Sequence, residues 1–186
     1  MRLALVGVAC FLFGAADQYL GGLWSATHLG FWSVDVSMMS APWLALPFVT
    51  GAREQTASRA VWIGALATFA ALLGYFTMTL SPVEGVALHQ VHPLPFLVSQ
   101  LHVILPAVVT GPLWGWLGHR WRSGCSWVGA AAVGGAFCLE PLVRRIYGQP
   151  FTAADVATAE IVTGVLLTGA FAVIAVRRRL GTRPVI

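Results

Sequence analysis

The residues best suited to chemistry in this sequence are ionisable groups placed inside long apolar runs. Asp17 lies in the run 3–23, His102 in 96–118, Glu140 in 125–146 and Glu160 in 156–176. Each sits about four to six residues from one end of its run. At about 1.5 Å per helical residue, all four lie roughly 6 to 9 Å below one common boundary. Gln18, Gln100 and Tyr75 fall near the same layer. A carboxyl at that depth is costly against lipid and turns toward other helices. The expectation is therefore a polar-lined pocket that opens toward one side. A carboxylic acid held there is a general acid, and His102 beside it is a candidate for taking up a proton.

Aromatic residues form the second element of the candidate site. Trp43, Tyr75, Phe76 and Phe137 lie inside apolar runs near the acidic layer, and Tyr19 follows Asp17 closely. Ring faces stabilise cations through their quadrupoles, although core packing also calls for such residues. Arg144 stands four residues after Glu140, the favourable order for an intrahelical ion pair, so that pair is structural as readily as functional. His89 and His92 offer two metal ligands, short of the three or four that zinc takes, and no metal or other cofactor is expected. Cys10, Cys125 and Cys138 have no metal or redox spacing. There is no glycine-rich phosphate loop and no nucleophile elbow.

The elements that must position these groups are spans of a bilayer. The chain has 186 residues, 58% hydrophobic and 10% charged, whereas soluble domains carry about a quarter charged residues. Six apolar runs, 3–23, 36–52, 60–80, 96–118, 125–146 and 156–176, are each close to the ~20 residues that cross a bilayer core. With short loops they use the whole length, so the expectation is a single all-α transmembrane domain over 1–186. The first run, after Met1-Arg2, also has the form of a secretion leader with Gly14-Ala15-Ala16 at its end; it is read as the first span. Pro42 and Pro47 interrupt the second run, and Pro106 and Pro112 the fourth. Gly111 and Gly115 make a small-xxx-small spacing suited to close helix packing.

Arginine placement orients the bundle. Arg2, Arg53, Arg59, Arg120, Arg122, Arg177, Arg178, Arg179 and Arg183 fall on one side, and only Arg144 and Arg145 on the other. The richer side is cytoplasmic by the positive-inside rule, which puts both termini inside. The net charge of +4 is thus a mark of topology, and no nucleic-acid partner is expected. Trp24, Phe31 and Trp32 suit an outer aromatic belt, and Trp114, Trp116, Trp121 and Trp127 an inner one. The acids run the other way: Asp17, Asp35, Glu84, Glu140, Asp155 and Glu160 fall on the outer half and only Glu54 on the inner side. Acids contribute little to topology, so this clustering asks for another reason.

Four segments carry a resemblance: Gly14-Ala-Ala-Asp-Gln-Tyr-Leu20, Ser40-Ala-Pro-Trp-Leu-Ala-Leu-Pro-Phe48, Gly74-Tyr-Phe76 and Gly111-Pro-Leu-Trp-Gly115. They resemble small actinobacterial six-helix membrane proteins. In size and composition the chain is also similar to the bacterial membrane terpene cyclases of the drimentine type. That resemblance implies proton-initiated cyclisation of a farnesyl-type chain on a small acceptor, with an acidic donor and aromatics around the carbocation. No signature motif matches residue by residue, so no site residue is carried over from it. The expected function is an intramembrane cyclase of a bacterial cytoplasmic membrane. Asp17, Glu140 and Glu160 are its candidate acids, and His102 or a carboxylate the final base. Gln18, Tyr19, Trp43, Tyr75, Phe76, Gln100, Phe137 and Arg144 are the candidates for substrate contact. The same pocket would also serve a small-molecule transporter or the substrate-binding membrane subunit of an uptake system. A closed bundle with no small-molecule site would instead mark a structural protein.

Overall fold

In lipid, backbone N–H and C=O groups find no water, so apolar runs fold as helices that pair those groups internally. A computed structural model describes residues 2–22, 31–84, 92–124 and 127–181, and among them the regular elements are all helical. The helices are α1 (Arg2–Gly22), α2 (Phe31–Ser37), α3 (Ala41–Gly51), α4 (Ala57–Thr79), α5 (Pro93–Ser99), α6 (Leu101–Gly124), α7 (Trp127–Ile146) and α8 (Ala154–Gly181), with a short 3-10 turn at Pro82–Glu84. Four are long and apolar enough to cross a membrane: Leu3–Gly22, Ala57–Thr79, Leu101–Gly124 and Ala154–Arg177. They match the first, third, fourth and sixth runs. The protein is thus an all-helical chain with the helices of a membrane protein. With 20 residues α7 has the length of a span, but Glu140, Arg144 and Arg145 crowd its C-terminal end. Trp24, His89 and Cys125 lie outside the described residues.

The second run departs from expectation. In place of one continuous helix over 36–52, α2 stops at Ser37 and α3 begins at Ala41. Pro42 is the reason. It has no N–H to give the carbonyl of Met38, four residues back, but it suits the first turn of a new helix. The resulting α3 has 11 residues and is about 16 Å long at 1.5 Å per residue, roughly half of a ~30 Å hydrocarbon core. The fourth run is likewise divided at Gln100, between α5 and α6.

Contacts give the helix directions. Gly14 meets Ala71, and Cys10 packs with Ala67 and Ala71, so α1 and α4 run parallel. Gly51 meets Gly115, and Phe48 and Ala52 meet Gly118; Trp43 shares a cavity with His102 at one end and Ala52 binds Arg122 at the other, so α3 runs parallel to α6. Ala60 lies against Gly115, and Thr68 against Gly111, which makes α4 and α6 antiparallel. Thr168 meets Gly134 and Gly164 meets Cys138, so α7 and α8 are also antiparallel. The α3–α4–α6 contact is built from small residues. A Cβ at Gly115 would run into the Ala60 carbonyl and lie 2.9 Å from the Gly64 Cα. Such residues let helix backbones meet where apolar side chains gain nothing by leaving lipid. Below α3 lies a core of Ala41, Phe48, Val133 and Phe137, edged by Trp121 and Phe171.

Replacing Gly115 by Leu is expected to force α3, α4 and α6 apart, at a cost of at least about 1–3 kcal/mol. Gly7, with no neighbouring atom within 4 Å of a Cβ, is the control. Unfolding of detergent-solubilised protein should show a lowered midpoint for Gly115→Leu and an unchanged one for Gly7→Leu.

Candidate functional site

A helix leaves N–H groups bare at its start and carbonyls bare at its end, with partial positive and negative charge respectively. Because α3 is short, both of its ends need partners from other helices. At its start, Ser40 N donates to Glu140 Oε1 at 2.6 Å and Ala41 N to Glu140 Oε2 at 2.7 Å. The next residue, Pro42, has no N–H to satisfy. Arg144 Nε donates to Glu140 Oε1 at 3.3 Å, and Arg144 Nη2 donates at 2.7 Å to the Met38 carbonyl that Pro42 leaves free. The guanidinium also lies 4.5 Å from the centre of the Phe151 ring. At the far end, Arg122 Nη1 donates to the Ala52 carbonyl at 3.2 Å, and His119 Nδ1 to that of Glu54 at 3.1 Å. Asp35 does similar work for α8, accepting from Thr152 N at 3.1 Å and Ala153 N at 2.6 Å.

Held in this way, the break between α2 and α3 forms one wall of a cavity of about 500 Å³. Met38 and Met39 come from the break, Asp17 from α1, Trp43 from α3, Tyr75 from α4 and His102 from α6. The volume lies within the range of small-molecule sites, roughly 300–1,000 Å³. Trp43 Nε1 donates to Asp17 Oδ2 at 3.1 Å. The same indole meets Phe13 and Tyr75 edge to face, at 5.4 and 6.1 Å between ring centres. Tyr75 continues the chain of rings to Phe76 and Phe96, at 5.7 and 5.6 Å. His102 Nδ1 lies 2.8 Å from the Ser99 carbonyl. A carbonyl only accepts, so Nδ1 carries the hydrogen in that contact and the neutral ring keeps Nε2 as an acceptor.

The expected site residues thus fall into groups. Asp17, Trp43, Tyr75 and His102 share the cavity, and Phe76 stands one ring behind it. Glu140 and Arg144 hold its wall from outside through Ser40, Ala41 and Met38. Phe137 belongs to the core beneath α3, and Gln18, Tyr19 and Gln100 are not part of the cavity wall. Glu160 is 2% exposed, and neither of its oxygens has a hydrogen-bond partner among the described residues. Its side chain lies beside that of Glu140. The depth reading did not find Met38 and Met39, Asp35 as the partner of α8, or Arg122 and His119 at the end of α3. Pro42 was the available signal for the first of these. Among the described residues no three His, Cys, Asp or Glu side chains come together as a metal site.

Comparison with protein-family models, with curated proteins and with solved structures finds no match for this chain.

The two buried glutamates should respond oppositely to amidation. Glu140→Gln leaves a single acceptor for the Ser40 and Ala41 N–H groups and for Arg144, and should cost about 2–3 kcal/mol. Glu160→Gln sets a neutral amide, with a donor, against the Glu140 carboxyl beside it, and should leave stability equal or higher. Denaturant titration of the two variants in detergent measures both.

Proposed function

We propose that the chain is an intramembrane enzyme that acts on an apolar, unsaturated small molecule through Asp17. The most specific form of the proposal is acid-initiated cyclisation of a prenylated, farnesyl-type compound. One observation carries it: a single cavity joins a carboxyl, an indole, a phenol and an imidazole within otherwise largely apolar walls. An apolar substrate dissolves in the bilayer, which gives such an enzyme its reason to be there.

In this reading Trp43 holds Asp17 Oδ2 as an acceptor, and Oδ1 carries the proton. The π electrons of a terminal alkene take that proton and leave a carbocation on the neighbouring carbon. The π electrons of the next double bond attack the cation and close a ring. Loss of a proton to the Asp17 carboxylate or to His102 Nε2 regenerates an alkene. The sum is an isomerisation with no co-reactant. Trp43 and Tyr75 surround the cation with aromatic rings, whose quadrupoles favour positive charge. Glu140 and Arg144 act as positioning residues, since they hold the Met38–Ser40 wall.

The reading places six chain segments across the membrane with both termini cytoplasmic. The second crossing is shared between α2 and α3. Support comes from the alternating directions of α1, α3, α4, α6, α7 and α8, and from the arginines that this order collects at one end, eight of the nine lying among the described residues and Arg183 outside them. The alternative, a binding or transport site for an organic cation, draws on the same pairing of a carboxylate with aromatic rings.

Membranes containing the protein, supplied with farnesyl-type prenylated substrates, should form cyclised isomers. Asp17→Asn should lower that rate about 10²–10⁴-fold, the usual contribution of a general acid. Undiminished cyclisation by Asp17→Asn would sink the proposal. Uptake of an organic cation without chemical change, lost in the same variant, would favour the alternative.

A further inference from the structure

At the opposite end of the bundle two adjoining hollows, of about 370 and 530 Å³, lie between the start of α1, the α3–α4 connection, the start of α4 and the end of α6. They share Arg53 and Glu54; Arg59 lines one and Arg122 the other. Three arginines and one acid thus line the two hollows. Glu54 is already engaged, at 3.8 Å from Arg59 Nε, and Arg122 is tied to the Ala52 carbonyl. Among the described residues Arg53 has no acid or carbonyl partner, so positive charge is left to face the hollow.

The flanks of this basic concavity are apolar and open. Leu3, Leu5 and Trp62 line it, and all three are largely exposed, Trp62 to 74%. Farther along α4, Leu66, Phe69 and Leu73 carry the exposed apolar surface onward. On helices long and apolar enough to cross a membrane these side chains meet lipid tails, so the hollow lies where the head of such a lipid would sit. A ligand with an anionic head and long hydrocarbon tails uses both the arginines and these side chains. The positive-inside rule accounts for arginines at this end, but not for their gathering in a hollow beside an apolar path. Basic pockets between membrane helices on this side suit anionic lipid headgroups.

We propose that Arg53 and Arg59, with Arg122, form a binding site for the phosphate head of an anionic phospholipid, whose acyl chains lie along the exposed faces of α1 and α4. The site is separate from the Asp17 cavity and stands independently of any activity there.

The test uses the full chain in nanodiscs of phosphatidylcholine carrying phosphatidylglycerol. Native mass spectrometry counts the phosphatidylglycerol retained on release. The double variant R53Q/R59Q should lower the apparent affinity about thirtyfold, at about 1 kcal/mol per arginine near the membrane surface. R145Q, at the other end of the bundle, should leave it unchanged. Equal retention by R53Q/R59Q and wild type would overturn the proposal, as would an equal loss in R145Q, which marks bulk charge alone. Release of the lipid by inorganic phosphate, beyond that by chloride at equal ionic strength, would assign the hollow to a free anion and overturn it too. Single R53Q, which removes no intramolecular contact, gives the same reading should the double variant fold poorly.

Discussion

Glu140 accepts from the N–H groups of Ser40 and Ala41 at the start of α3, and the cavity wall at the break between α2 and α3 depends on that contact. A half-length helix is a difficult object inside a bilayer. A short helix leaves unpaired backbone groups at both ends, and such groups are costly wherever water does not reach them. The chain meets this difficulty with charge of the appropriate sign at each end. A carboxylate receives the positive start of α3, and Arg122 receives the negative end. Both placements also complement the helix dipole. Arg144 completes the arrangement by taking the Met38 carbonyl. The break between α2 and α3 is thereby fixed as a structured wall.

The second constraint is room. Helix α3 can lie against α4 and α6 only because their facing positions are Gly51, Gly64, Gly111, Gly115 and Gly118. Close packing there leaves the inner part of the α3–α4–α6 contact filled by backbone. Toward the start of α3 the facing residues change to Trp43, Tyr75 and His102, and the helices no longer fill the space between them. The cavity is the outcome of that change in side-chain size along one interface. The short length of α3 and its glycine contacts thus act together to place an opening beside Asp17.

Much of this was legible in the sequence, and the remainder was not for a definite reason. Counting residues from the end of each run gives height along a helix; it puts Asp17, His102, Glu140 and Glu160 in one layer with Tyr75 and Trp43 near it, and the cavity gathers Asp17, Trp43, Tyr75 and His102. Height says nothing about direction around the bundle. Glu140 and Glu160 share that level but lie beyond α3, where only packing could place them. Glu140 and Arg144 could be read as an i, i+4 pair from their spacing. Their more consequential partners, Ser40, Ala41 and Met38, are about a hundred residues away in the chain, and no local pattern announces them. The split of the second run was signalled by Pro42, yet its apolar composition reads equally well as one continuous span.

The same partners decide which acid holds no backbone group in place. Asp35 and Glu140 each accept two backbone N–H groups at helix starts, so a change in either would disturb a helix terminus. Glu160 is enclosed against α7 and touches no cavity wall. Among the described residues Asp17 differs from all three. Its carboxyl has one hydrogen bond, from a side chain that itself lines the cavity. A group that gains and loses a proton during a reaction must do so without unmaking the fold. Asp17 meets that condition because no backbone group depends on it, while Trp43 and its ring neighbours keep it in place in either state. Of the clustered acids, Asp35 and Glu140 thus receive backbone N–H groups at helix starts, and Asp17 faces the cavity.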